Sequence, residues 1–168
     1  MKLSKTILTA ALLANASMVY AAADFMTIRS RQFKMNDAAP KLVVSFTLPD
    51  SVNRSTSTVN SAVLDLEAGH SEFNFNEVYI NPPTTVCTSN DTDANQAGSI
   101  GFLQEHDDAG LRFEVAANHK AFSSALLKAG TNQIMICVRS VSGEAGPGVG
   151  NLDNVTVRSV VLHYHTTQ

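Results

Sequence analysis

Apolar and polar positions alternate with a period of two through several short stretches of the chain. In AVLDLEA (62–68), Leu64 and Leu66 share one side and Val63, Asp65 and Glu67 the other, which predicts a half-buried strand. KLVVSFTL (41–48) predicts a second strand, ended by Pro49 and Asp50. NQIMICVRS sets Ile134, Ile136 and Val138 on one face, and NVTVRSVVLHYH (154–165) predicts the last strand. Residues 25–35 predict the first. SIGFLQE and LRFEVA, within 99–116, predict a hairpin across 106–110. One piece breaks the rhythm. In HKAFSSALLKAG (119–130), Phe122 and Leu126 stand four apart and Gly130 sits where a helix C-cap would, which predicts a short helix.

The stretch SEFNFNEVYINPP (71–83) contains a phase change. Phe73 and Phe75 share one parity, while Val78 and Ile80 share the other. A one-residue slip exchanges the buried and exposed faces. The pattern therefore predicts a turn or bulge at 74–76, then a strand over 77–81 with Val78 and Ile80 inward, stopped by Pro82 and Pro83. Polar loops fill the gaps at 53–60 and 88–98, and a Gly/Pro-rich loop fills 143–150. About eight antiparallel strands with one short helix predict an all-β sandwich of two packed sheets.

The N-terminus has its own pattern. Lys2 and Lys5 precede an apolar run over 6–19, and small residues follow in VYAAADF. This is the layout of a secretory signal peptide of bacterial appearance, with cleavage after Ala21 or after Ala23. The run is shorter than the ~20 apolar residues a spanning helix needs, and no later segment is long and apolar enough to span. No Cys follows either cut, which argues against a lipid anchor. The division expected is a signal peptide over 1–23 and one domain over 24–168. That domain would be exported to the periplasm or the outside. Its two cysteines, Cys87 and Cys137, then read as a disulfide.

Charge narrows the partners. Removing two lysines and no acids moves the formal charge from −3 to −5. Mild acidity argues against nucleic acid and anionic membranes as partners.

Several features bear on chemistry. DTDAN sets Asp91, Asp93 and Asn95 at alternate positions, as a calcium loop begins. An EF-hand would need Gly and Glu where Gln96 and Phe102 stand, which leaves only a less regular calcium site. His163 and His165 alternate on the last strand and could share a Zn or Cu ion, but no third ligand is evident. The chain carries no Gly-x-Ser-x-Gly and no His-Glu-x-x-His, so no catalytic residue is nominated and the chain is read as a non-enzyme. The candidate ligand-binding residues are Tyr79, Asn81, Arg139 and Tyr164, being aromatic or polar groups near strand ends.

The order of certain motifs resembles that of the galactose-binding-domain-like jelly rolls. AVLDLEA is followed by EVYIN, a strand ending in Asn. Then comes ALLKAGTNQIMICV, in which a Lys-Ala-Gly-x-Asn run leads into an apolar strand, and LDNVTVRSVVLHY closes the chain. The resemblance spans 62–164. Pro82 stands where that family usually has Gly after the strand-ending Asn. The resemblance implies a jelly roll of two sheets. It also implies a structural calcium held in part at Asp153, and a ligand site on end loops or on a sheet face. A non-catalytic module that binds a glycan or cell-surface component is the function expected. A secreted structural or protein-interaction subunit, such as an adhesin or effector, is the alternative, and a hydrolase is the third reading. Fold alone does not choose among them.

Overall fold

The structure is a computed structural model that describes residues 22–36, 38–54, 61–69, 71, 76–87, 97–104, 115–138 and 155–166. Nine strands are described. They are β1 (Ala22–Arg29), β2 (Phe33–Lys34), β3 (Lys41–Leu48), β4 (Ala62–Gly69), β5 (Asn76–Ile80), β6 (Ser99–Phe102), β7 (Ala116–Phe122), β8 (Gly130–Val138) and β9 (Thr156–Thr166). They form two antiparallel sheets. The first runs β1-β9-β4-β7, with β2 also on β9, and the second runs β3-β8-β5-β6.

The pairings share one logic. Strands β1·β9, β3·β8, β4·β7 and β5·β6 pair like successive rungs of a single long antiparallel hairpin. Rolling that hairpin over itself adds β4·β9 and β5·β8 and gives two facing sheets. This is the jelly-roll arrangement.

The period-two pattern is what makes the roll fold. Leu64 and Leu66 of β4, Ile134, Ile136 and Val138 of β8, Val78 and Ile80 of β5, and Val160 and Leu162 of β9 all join one buried cluster. Each such side chain contributes roughly 1.5–3 kcal/mol on leaving water. Residues of opposite parity face outward on the first sheet: Val63, Asp65 and Glu67 on β4, and His163 and His165 on β9. β7 is an edge strand, and Lys120 lies on its inward side beside Asn118 and Phe122. Partial burial pushes the Lys120 ammonium below its ordinary range. A charge pointing inward at an edge discourages a further strand from adding there.

The predicted helix over 119–130 does not form. Residues up to Phe122 belong to β7, laddered to β4 from Ala62↔Phe122 to Ala68↔Ala116. Only Ser124–Leu126 turns, as a 3-10 helix capped by Ser123, whose hydroxyl accepts the Ala125 amide. Phe122 still reaches the core and Leu126 packs against it, the first from a strand end and the second from the turn. Pairing with β4 gives 116–122 a full-length antiparallel ladder, whereas a short isolated helix is marginal in water. Gly130, expected at a helix end, adopts φ +76° and opens β8.

The first strand is also divided, into β1 and β2. Residues 105–114, around which the hairpin was expected, lie outside the described residues. Its two flanks go to different sheets, β6 to β5 and β7 to β4. The phase change at 71–83 resolves in part. Val78 and Ile80 face the core as expected, while 72–75 lie outside the described residues.

Candidate functional site

Part of the outer face of the second sheet is covered, while Ser45, Thr47 and Thr131 on the same face are exposed. Tyr79, Met135 and Cys137 have the parity opposite to the core, yet each is at most 1% exposed. They form a cluster of their own with Val43 and Cys87. Cys87 is bonded to Cys137 across 50 positions, as expected for an exported chain. The segment leading to Cys87 thus lies over this sheet, and the Lys41 ammonium donates to the Thr85 carbonyl. Beneath it the Tyr79 hydroxyl and the Ser99 hydroxyl each donate to the Glu77 carboxylate. Tyr79, a candidate for ligand binding by sequence, is therefore an interior residue here.

Asn81 is likewise a corner of the fold. It adopts φ +49°, a conformation that asparagine tolerates better than most residues. Its amide group donates to the Leu126 carbonyl and to Asn132 Oδ1, both at 2.8 Å, and its Oδ1 accepts the Gln133 amide at 2.9 Å. Asn132 is fully buried. Its Oδ1 also accepts the Lys128 amide, and its Nδ2 donates to the carbonyls of Lys128 and Gly130. The strand-ending Asn and the Lys-Ala-Gly-x-Asn run, which carried the family resemblance, thus make one hydrogen-bonded knot that joins β5, the 3-10 turn and β8. Both serve the fold.

Tyr164 is 5% exposed within the core cluster, and its hydroxyl lies 3.5 Å from Asp24 Oδ2. Burial, and then the neighbouring Asp24 charge and hydrogen bond, push its phenol above the ordinary range. Arg139 lies outside the described residues. So do Asp91, Asp93, Asn95 and Asp153 of the expected calcium positions. Among the described residues no group of three or more His, Cys, Asp or Glu is arranged to hold a metal ion.

The outer face of the first sheet is open, and it gathers residues that the sequence leaves scattered. Asp65 sits midway on β4. On one side the facing residue of β7 is His119, whose Nδ1 lies 2.7 Å from Asp65 Oδ1. On the other side β9 brings His163 Nε2 to 2.9 Å from Asp65 Oδ2. His163 in turn faces Phe25 of β1, with ring centroids 6.2 Å apart and a 36° tilt. Phe25 is 65% exposed. His119, Asp65, His163 and Phe25 thus form a row that crosses all four main strands of the sheet. His165, two residues on, faces the same way. Beside the row lies a shallow hollow of about 180 Å³, lined by Asp65, Glu67, Ala117, His119, Ser159 and Val161.

Hydrogen bonding defines what this row presents. A carboxylate only accepts, so both imidazoles must turn an N–H toward Asp65. In the neutral form His119 then carries its proton on Nδ1 and His163 on Nε2. The remaining nitrogens, His119 Nε2 and His163 Nδ1, are acceptors held in place by the shared carboxylate. The face therefore offers an exposed apolar ring next to oriented acceptors. An Asp–His pair is also two-thirds of a hydrolytic triad. The hydroxyl lining the same hollow, Ser159, stands on β9, with β4 between it and the strand of His119.

His163 was noted in the sequence for its spacing to His165. Its partnership with Asp65 and His119 was not, because it depends on which strands are neighbours. The alternation of Asp65 on β4 and His119 on β7 was the available signal, and it needed the strand order to be read. No model of a known protein family matches the chain, and no curated protein matches it.

Proposed function

We propose that the protein is an exported, non-catalytic binding module that holds a glycan or a similar hydroxyl-rich component of a cell surface on the outer face of its first sheet. The observation that carries this reading is the row Phe25–His163–Asp65–His119, in which an exposed aromatic ring adjoins oriented acceptors. Sugars present the complementary pair, an apolar C–H face and hydroxyl donors. The sandwich itself supplies rigidity, since the four side chains stand on laddered strands.

A glycan array, followed by titration of the best hit, tests the reading. Phe25→Ala is expected to weaken binding about tenfold, as is appropriate for one exposed stacking contact. Asp65→Ala frees both imidazoles at once and is expected to weaken it further. Absence of any glycan signal, together with a stable oligomer by light scattering, would favour the assembly-subunit reading.

Export rests on the disulfide and on residues 1–23. Among the described residues no helix is long and apolar enough to cross a membrane. The start of β1 favours one of the two cleavage positions. Ala22 faces Thr166 and Ala23 faces His165, so cleavage after Ala21 keeps the whole ladder and cleavage after Ala23 deletes two rungs. The intact mass of the exported protein is expected to begin at Ala22. A mature N-terminus at Asp24 would contradict this.

A further inference from the structure

We infer that residues 82–87 form a strap whose closure depends on the Cys87–Cys137 bond, and that reducing this bond bares the Tyr79–Met135–Cys137 patch on the outer face of the second sheet while leaving the sandwich folded. No residue of 82–87 belongs to a strand. The strap leaves β5 at the Asn81 corner and returns to the sheet at Cys137, with Lys41 tying down the Thr85 carbonyl on the way. Its own side chains are half-buried or exposed, and Val86 is 58% exposed.

What lies beneath is different in kind. Tyr79, Met135 and Cys137 are buried outside the main core, next to the carboxylate of Glu77. A central strand of this sheet, β8, is laddered to β3 and β5 through pairs that include no residue of 82–87. The facing core of Ile134, Ile136, Val78 and Ile80 is on the other side of the sheet. The elements that hold the sheet and those that hold the strap are thus separate, which is the condition for one segment to open below the global transition.

The chemistry is a two-electron exchange with a dithiol. A thiolate of the dithiol attacks Sγ of Cys87, the more accessible sulfur, because Cys137 is fully buried. A mixed disulfide forms, and the Cys137 thiolate leaves and takes a proton. The second thiol of the reagent then displaces Cys87, giving two protein thiols and a cyclic disulfide of the reagent. The reverse step, in an oxidising compartment, closes the strap. The protein therefore presents one surface before oxidation and another after it.

The chain offers a direct probe. It contains no Trp and three Tyr, of which Tyr20 lies within the expected signal peptide. In a mature Tyr164→Phe protein, Tyr79 is the only such fluorophore. Collisional quenching of Tyr79 by acrylamide is expected to rise severalfold on adding dithiothreitol, with the far-ultraviolet circular dichroism unchanged. A Cys87→Ser/Cys137→Ala variant should show the high value without reductant. Hydrogen exchange on the mature protein with Tyr164 intact provides the second readout, with protection lost within 84–87 and kept in β4, β5, β8 and β9. If Tyr79 stays protected after complete reduction, or if the β-sheet signal collapses together with that protection, the inference is overturned.

Discussion

Replacing Asn132 by alanine is expected to destabilise the protein by about 3–5 kcal/mol, among the largest effects for a single polar side chain. Asn132 is fully buried, and its amide makes four hydrogen bonds. Its carbonyl takes the Lys128 amide and one proton of Asn81, and its NH₂ serves the carbonyls of Lys128 and Gly130. Truncation leaves several of these groups without a partner in a site that water reaches poorly, and each such group costs about 1–3 kcal/mol. The loss should also spread to Asn81, whose corner at φ +49° is fixed in part by Asn132. Denaturant titration would give the value. A change under about 1 kcal/mol would show that the knot is not structural. Asn132→Asp should be no milder, because it removes both donors and adds a buried charge.

Gly98→Ala is expected to cost about as much, roughly 3–5 kcal/mol, with a fall in Tm on the order of 10 °C. Two penalties act together. Gly98 has φ +91°, which side chains with a Cβ rarely adopt. A Cβ there would stand 2.2 Å from the Ile80 carbonyl oxygen, and that neighbour is backbone. Gly98 also accepts the Ile80 amide at 2.7 Å, so moving it away breaks the start of the β5·β6 ladder. Gly130→Ala is the useful comparison. Its φ of +76° is also positive, but no atom stands within 4 Å of the added carbon. That variant should lose only the conformational part, about 1–2 kcal/mol. Similar melting points for the two would mean that the close approach at Gly98 relaxes without cost.

Both residues illustrate how a motif is to be read. Asn81 and Asn132 were visible in the sequence as parts of a recurrent order of strands and turns. Asn81 was also a candidate for a ligand contact, while Asn132 figured only in the Lys-Ala-Gly-x-Asn run. In the fold they recognise each other. Polar side chains at a strand end have unsatisfied backbone groups within reach, and burial makes those groups the stronger partners.

Local pattern by itself determined the all-β class, the inward residues of β4, β5 and β8, and the Cys87–Cys137 bond. The first two follow from the alternation of side chains along a strand, and the bond from the expectation that a pair of cysteines oxidises in an exported chain. Only the tertiary structure decided the rest. It drew 119–122 into a strand, because β4 offered a ladder that a short helix could not match. It buried Tyr79 on the outer face of a sheet, in one cluster with Met135, Val43 and the Cys87–Cys137 disulfide. And it set His119, Asp65, His163 and Phe25 in one row, from positions as far apart as 25 and 163. Period-two alternation says which way a side chain points, but the neighbour across the sheet is chosen by the rolling of the chain.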